Sequence, residues 1–529
     1  MRKNEMTSGK LSGIFRHFTT AALICSLSIS LIAQRPETTS TSSVTGSTSA
    51  IEKLRERIQA RISDPAVARG SIGIKIVSLN SGTVIFEQNA EKYFMPASNM
   101  KNFTVAAALE KLTPNHKLTT TIYAHAKPDA DGTLKGDVVI VGGGDFSISY
   151  SFHDGDRLRG IDRVVDALIA AGVKRIDGNL IGDDTYFKGS VFPPGWEWDD
   201  LQWYYGAEVS ALPVNDNVVS LSIKPSSVGS TCTARIQPFN FVMRIANRCM
   251  TVAAGSPRTL QIEKRIAENL IEISGELPVG NEGFDNNITV SRPADMFASL
   301  LKQRLEEKGI SVSGRGYAIP SGQEPVRPTE VIARIESPNM AVLAARTMKP
   351  SQNMYTEVLL RTLGEEERKK ALLRPGQNPS STELGIRAVS DFLKNAGIPE
   401  DGIIQFDGSG LSRHNLVTPS AVTALYVYMA KRSRYSQAWR ESLTIGGVDG
   451  TLRNRFRGTR GEANVRGKTG TINQVSALSG YVRTAAGEEL VFSMLVNGVP
   501  ETRTRVGLID EIVLMLANLD HKIEPAPIN

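Results

Sequence analysis

Residues 96–112 read PASNMKNFTVAAALEKL. An almost unbroken apolar run, Phe103, Val105, Ala106, Ala107, Ala108, Leu109 and Leu112, begins just after Ser98 and stops before Pro114, which predicts a helix buried around most of its circumference. Ser98 and Lys101 fall in its first turn. Residues three apart share a helix face, so the hydroxyl and the amine of this S-x-x-K can meet. At a helix N-terminus the free backbone N–H groups and the positive dipole end favour negative charge developing beside the serine. This is a way to mount a serine nucleophile with a lysine base.

The motif alone has little specificity, because Ser299 and Lys302 form a second copy inside the amphipathic run ADMFASLLKQRLEEKGI, where a solvated helix face is the simpler explanation. Two further motifs single out the first copy. Ser351, Gln352 and Asn353 form S-x-N at a loop-to-helix junction after Pro350, and Lys468, Thr469 and Gly470 form K-T-G on a predicted strand. S-x-N also occurs at Ser78–Asn80 and Ser337–Asn339, whereas K-T-G occurs once. Together the three supply what acyl transfer requires. Ser98 and Lys101 provide nucleophile and base, Ser351 a proton relay, Asn353 a holder for a substrate amide, and Lys468 with Thr469 a seat for a carboxylate. The backbone N–H groups of Ser98 and Thr471 are candidate oxyanion donors.

Around this helix the chain has a mixed texture. The 529 residues suffice for two to four domains with sizeable cores. A net charge of +6, with no Lys/Arg run interleaved with aromatics, argues against a nucleic-acid partner. Six histidines without H-E-x-x-H or a Cys/His cluster argue against a zinc hydrolase, so neither metal nor cofactor is expected.

Arg2, Lys3, Lys10 and Arg16 precede the apolar segment 18–33, the layout of an export signal cleaved near Ser30 or Ala33; an uncleaved anchor is the alternative. Otherwise no membrane span is expected. Residues 34–50, rich in Ser and Thr, read as a disordered linker, with folded structure from Ile51. In an oxidising compartment Cys232 and Cys249 would close a short loop worth about 3 kcal/mol as a disulfide; two separate buried thiols are the alternative.

IEKLRERIQARI at 51–62 predicts an amphipathic helix, and SIGIKIV with TVIFEQ a β-hairpin. From about 120 to 330 many short strands are broken by Gly and Pro, with helices at 159–171 and 294–308. GGGD at 142–145 lacks the Lys-Ser/Thr of a phosphate loop and reads as a turn. Helices return from 338, followed by strands NVRGKTGTI, ALSGYVR and LVFSMLVNG and a closing amphipathic helix. A hairpin at the start and strands at the end predict one antiparallel sheet built from both ends of the chain, with a helical lobe beside it and an insertion between. The Asp183–Asp184 pair in LIGDDTYF reads as a strand-ending turn, or else as a contact for a substrate side chain.

The ordered S-x-x-K, S-x-N and K-T-G set resembles the penicillin-recognising serine acyltransferases. PGWEWDDLQWYYGAEVSALPVNDN, DGSGLSRHNLVTP and GGVDGTLRNRF narrow the resemblance to the D-alanyl-D-alanine carboxypeptidase/endopeptidase family, the class C low-molecular-mass penicillin-binding proteins. It runs from about residue 55 to 518.

The resemblance implies an α/β (α+β) fold: a β-lactamase/transpeptidase-like peptidase domain (51–125 and 330–520) interrupted by two nested, strand-rich inserted domains (126–215 with 290–329, and 216–289), with a tail at 521–529. It implies Ser98 as the acylated nucleophile, with Lys101, Ser351 and Asn353 catalytic and Lys468, Thr469, Gly470 and Thr471 binding substrate. Asp407–Leu411 and Arg413–Asn415 would be structural, near the site. Asp183 or Asp184 would touch the diamino acid of the stem peptide. Gln352 departs from the Asp frequent in the family. The implied partners are peptidoglycan stem peptides and, as covalent inhibitors, β-lactams; the implied location is the periplasm or cell envelope. A β-lactamase is disfavoured by the large insertion and the lack of a Glu-bearing deacylation loop, and an idle wall-binding scaffold by the complete polar set.

Overall fold

The structure is a computed structural model that describes residues 45–320, 323, 325–370 and 377–523, with side chains from residue 50 onward. The export signal expected over 1–33 lies outside the described residues, as do the linker up to residue 44 and residues 524–529 of the tail. Among the described residues, no helix is long and apolar enough to cross a membrane.

The first helix, α1 (Thr45–Ile62), begins inside the stretch read as linker. Leu54, Ile58 and Ile62 anchor it in the core, and once a helix is nucleated each added residue gains a hydrogen bond, so it extends back past Ile51. Ile523, in the stretch read as tail, is also buried, and its N–H donates to Glu488 at 2.9 Å.

The hairpin β1 (Ser71–Ser78) and β2 (Val84–Gln88) pairs along β1 with Glu489–Asn497, residue 71 opposite 497 and residue 78 opposite 490. The last strands follow in order, so one six-stranded sheet runs β2, β1, Glu489–Asn497, Val475–Arg483, Arg466–Ile472, Thr444–Ile445. Every neighbouring pair is antiparallel. Alternation along β1 sends Ile72, Ile74 and Ile76 into a core under α1 and the closing helix Thr502–Ala517.

The opposite side of the sheet carries the helical lobe. Its centre is α2 (Lys101–Leu112), of which only Glu110 and Lys111 escape burial. Helices Met340–Met348, Asn353–Lys370, Ser381–Ala396, Pro419–Lys431 and Ser436–Ser442 pack around it. The inserted region holds a five-stranded sheet, Gly316–Ala318, Leu180–Asp183, Val138–Gly142, Thr119–Ala124 and Glu330–Glu336, together with smaller sheets between residues 133 and 312. Thr119–Ala124 and Glu330–Glu336 belong to the inserted sheet, where the outgoing and returning chain pair with each other antiparallel. One apolar core, from Ile122 to Ile335, runs through the insertion, while Phe146, Phe187, Val209 and Val218 join the core of the helical lobe.

Within it Cys232 and Cys249 are joined in a disulfide. Peptide mapping of unreduced protein should therefore recover these two cysteines in one cross-linked pair. The double replacement Cys232→Ser, Cys249→Ser should lower unfolding stability by about 3 kcal/mol in denaturant titration. Two separable unreduced peptides would contradict the pairing.

Candidate active site

Ser98 lies in a 3₁₀ turn, Ala97–Met100, that runs directly into α2. The turn is held from both sides. Asn99 Nδ2 donates to the Lys468 carbonyl at 3.0 Å, tying it to the K-T-G strand, and Ala97 takes a left-handed backbone (φ 45°) that an alanine adopts only under constraint. Lys101 is fully buried. Its Nζ lies 3.0 Å from Ser98 Oγ, 2.6 Å from Asn353 Oδ1 and 2.7 Å from the Ser409 carbonyl.

Two of those partners are carbonyl oxygens, which only accept. A neutral amine has two N–H groups and one lone pair, so when both N–H groups are spent on Asn353 and Ser409 the lone pair is left to receive the Ser98 hydroxyl proton. Burial lowers the Lys101 pKa from its ordinary 10.5 to about 7, against the opposing pull of Asp407 and Glu357. About half of the amines are then neutral at neutral pH.

Ser409 is itself held in place. Glu357, fully buried on helix Asn353–Lys370, accepts the N–H groups of Gly408 at 3.0 Å and Ser409 at 2.8 Å. Burial, with Asp407 alongside, pushes this carboxyl up to about 7. Asp407 ties the loop to itself and to the insertion, accepting from Gly410 N, Ser412 N and Asn415 Nδ2 at 2.7 Å each and from Trp196 Nε1 at 2.9 Å.

The K-T-G strand is Arg466–Ile472. Lys468, fully buried, donates to Ser351 Oγ and to the Thr469 carbonyl, both at 2.8 Å. Burial first, and the Lys101 charge second, hold its amine well below the ordinary lysine range. Ser351 sits at φ 64°, a second strained residue at this junction, just before the helix that Asn353 opens. Asn353 Nδ2 donates to the Tyr205 carbonyl of the insertion at 2.9 Å, so with Lys101 on Oδ1 it keeps one N–H for anything else.

Two glycines permit this convergence. A Cβ on Gly410 (φ 84°) would lie 1.8 Å from the Ala97 carbonyl oxygen, and one on Gly470 would lie 2.6 Å from the Pro96 oxygen and 3.0 Å from Ser98 N.

A cavity of about 570 Å³ opens over Ser98. Ser351, Asn353, Thr469 and Thr471 line it, while Lys101, Lys468 and Gly470 stand behind its wall. The structure thus brings together all eight motif residues, Ser98, Lys101, Ser351, Asn353, Lys468, Thr469, Gly470 and Thr471. It does not bring Asp183 or Asp184 there. Asp183 is fully buried at a strand end, accepting from Thr185 N and Oγ1 at 2.9 and 2.7 Å and from Arg327 Nε at 2.5 Å. Asp184 accepts from Ser210 Oγ at 3.2 Å.

The acidic groups that line the cavity are Glu197 and Asp200, with Arg413 paired to Glu197 at 2.8 Å. In the second S-x-x-K, Lys302 is spent on Glu306 and on the Val312 carbonyl at 3.2 Å. Sequence reading missed the Ser409 carbonyl, Glu357 and Thr451, whose hydroxyl bonds Thr469 Oγ1 at 2.7 Å. A Glu inside the apolar first half of helix Asn353–Lys370, before the charged run that starts at Glu365, is the signal that could have flagged Glu357.

The family model for D-Ala-D-Ala carboxypeptidase 3 (S13) matches residues 54–519. The chain belongs to this family. It is a serine-type D-Ala-D-Ala carboxypeptidase. It is 33% identical over 461 residues to the D-alanyl-D-alanine carboxypeptidase of an Actinomadura species, covering 85% of this chain and 81% of that one. Among solved structures, penicillin binding protein 4 (dacB) from Haemophilus influenzae is 22% identical, with a TM-score of 0.75 over 87% of this chain and 99% of that one. A second structure of the Haemophilus protein, complexed with a β-lactam, is 24% identical with a TM-score of 0.68, covering 86% of this chain and 97% of that one. These likenesses show the S13 fold: a mixed α/β peptidase with several sheets and inserted domains.

The Gly410 contact makes a sharp test of how the S13 site is assembled. Gly410→Ala should destabilise the protein by at least about 3 kcal/mol, since neither the left-handed φ nor the Ala97 carbonyl leaves room for a methyl. It should also abolish covalent capture of a β-lactam even where the fold survives, as read by thermal melting and by mass spectrometry. Wild-type capture in a folded Gly410→Ala protein would show that the close approach does not position Ser98.

Proposed function

We propose that Ser98 is the nucleophile and Lys101 its general base in hydrolysis of the terminal D-alanyl bond of peptidoglycan stem peptides. The observation that carries this reading is the Lys101 amine, 3.0 Å from Ser98 Oγ with both its other partners carbonyls. In the acylation step the Ser98 proton passes to Lys101 Nζ, Oγ bonds to the D-alanyl carbonyl carbon, and the oxyanion takes N–H bonds from Ser98 and Thr471. The C–N bond then breaks as the leaving amine takes up, with Ser351 as relay, the proton that Lys101 received, which leaves Lys101 neutral again; Lys468 donates to Ser351 Oγ and holds the relay in place. Water, deprotonated in turn by Lys101, releases the acyl group and regenerates the hydroxyl.

The substrate's terminal carboxylate fits against Thr469 and Thr471, which face the cavity, with Lys468 behind them. A diamino acid of the stem peptide would meet Glu197, Asp200 and Arg413, which line the same cavity, rather than Asp183 or Asp184. A cross-linked neighbour in place of D-alanine as leaving group would make the same chemistry an endopeptidase reaction. β-Lactams would acylate Ser98 and stay bound; the Haemophilus relative seen with a β-lactam supports this. The disulfide and the basic-then-apolar N-terminus support export to the periplasm or cell envelope.

Mass spectrometry after incubation with benzylpenicillin should find one adduct, on Ser98. Ser98→Ala should lose both adduct and peptide hydrolysis, and Ser299→Ala should keep both; equal losses would mean the wrong serine has been named.

Because Lys101 must be neutral to accept a proton, the acylation rate should rise with pH through a midpoint near 7 and level off above it. Lys101→Arg should lower the rate by roughly a thousandfold or more, since guanidinium is no base near neutrality. A flat pH profile would remove Lys101 from the base role.

Lys468 makes a separate prediction. A bound carboxylate supplies the counter-charge its buried amine lacks and raises its pKa, so binding of a peptide with a free C-terminus should take up a proton. Calorimetry of Ser98→Ala in buffers of different ionisation enthalpy reads this directly, and Lys468→Gln should abolish it. Binding without proton uptake would leave Lys468 charged in the free enzyme.

A further inference from the structure

The 3₁₀ turn Trp198–Asp200 separates the Ser98 cavity from a second cavity of about 570 Å³, set between this turn and the nested strands Gln261–Lys264 and Leu270–Ser274. With three residues per turn, positions three apart eclipse. Glu197 and Asp200 accordingly face the first cavity, while Trp198 and Asp199 face the second.

The second cavity has a distinct chemistry. Trp198 presents its indole at 75% exposure, unusual for so large an apolar side chain. The buried charged groups of the opposite wall already have polar partners, and Arg265 is ion-paired. Glu208, buried, accepts from Arg292 N at 2.7 Å; Lys264, buried, donates to Ser291 Oγ at 2.8 Å; Arg265 pairs with Glu272 at 3.0 Å. Neutral groups are left unspent. Gln202 accepts the Lys264 N–H through Oε1 at 3.2 Å, but its amide N–H groups have no partner among the described residues, nor do the side chains of Gln261 and Ser274. The unpaired charges, Asp199, Glu263 and Arg248, are exposed at the rim.

An open aromatic face opposite neutral amides and a hydroxyl suits a ligand with one apolar face and a rim of neutral polar groups, which describes an N-acetylated pyranose better than a charged peptide. We infer that this cavity is a glycan subsite, in which Trp198 stacks on a sugar of the wall polymer whose stem peptide occupies the Ser98 cavity. The inference rests on the peptidase reading for its substrate, but not for its binding test.

The experiment compares wild type, Trp198→Ala and Trp198→Phe on a free pentapeptide and on the same pentapeptide carried by its N-acetylglucosaminyl-N-acetylmuramyl disaccharide. Trp198→Ala should lower kcat/KM on the disaccharide-linked substrate about tenfold, with Trp198→Phe intermediate and the free pentapeptide unchanged. Loss of an exposed side chain should leave the melting temperature and penicillin acylation as in wild type. Titration of the peptide-free disaccharide should change the tryptophan fluorescence of wild type and not that of Trp198→Ala. Equal losses on both substrates would assign Trp198 to the peptide cavity and overturn the subsite, as would an unresponsive fluorescence signal. If wild type hydrolyses neither peptide, the peptidase reading fails, and the fluorescence titration still decides the glycan site.

Discussion

A primary amine kept out of water and clamped between two carbonyl oxygens is the constraint on which the rest of this structure depends. Burial makes the neutral form of Lys101 accessible near pH 7, and the Asn353 and Ser409 oxygens take its N–H groups so that its lone pair is left for Ser98. Each clamp has its own support. The Ser409 carbonyl is fixed by the Glu357 carboxylate through two neighbouring amides, and the Asn353 side chain by the Tyr205 carbonyl. Removing either support would leave buried polar groups unsatisfied, a large cost in a dry site.

The six-stranded sheet delivers the third component. Because both ends of the chain share one sheet, the K-T-G strand lies beside the turn that carries Ser98, close enough that Asn99 bonds the Lys468 carbonyl. The close approach stores strain, visible in the left-handed backbones of Ala97 and Ser351, and it requires the missing side chains of Gly410 and Gly470. Strain of this kind persists only where the surrounding packing over-determines it, and here α2 is encased by five helices on one side and the sheet on the other.

The insertion reaches into the site as well. Tyr205 supports Asn353, Trp196 bonds Asp407, and Asp216 accepts from Gln352 Nε2 at 3.4 Å. The last contact gives a physical reason for the residue between Ser351 and Asn353. Asp216 is buried and already accepts the hydroxyls of Ser149 and Tyr355, so a second carboxylate at position 352 would face it as a like charge, whereas an amide donates to it.

Much of this was legible in the residues themselves. The spacing of apolar positions after Ser98 predicted the buried helix, hydroxyl and amine three positions apart fell on one face, and alternation in SIGIKIV together with the apolar run LVFSMLVNG predicted strands from both ends of the chain in one sheet. Those features are local, set by helix and strand periodicity over a few residues. What only the tertiary structure decided is non-local. That the Ser409 carbonyl lies against an amine 308 positions earlier, and that Thr119–Ala124 leaves the peptidase to join the inserted sheet, follows from how distant segments pack. So does the placing of Glu197 and Asp200, rather than Asp183 and Asp184, on the cavity wall. A backbone carbonyl carries no residue identity, and two adjacent aspartates look alike in sequence whether they end a buried strand or face a substrate; packing alone assigns the role.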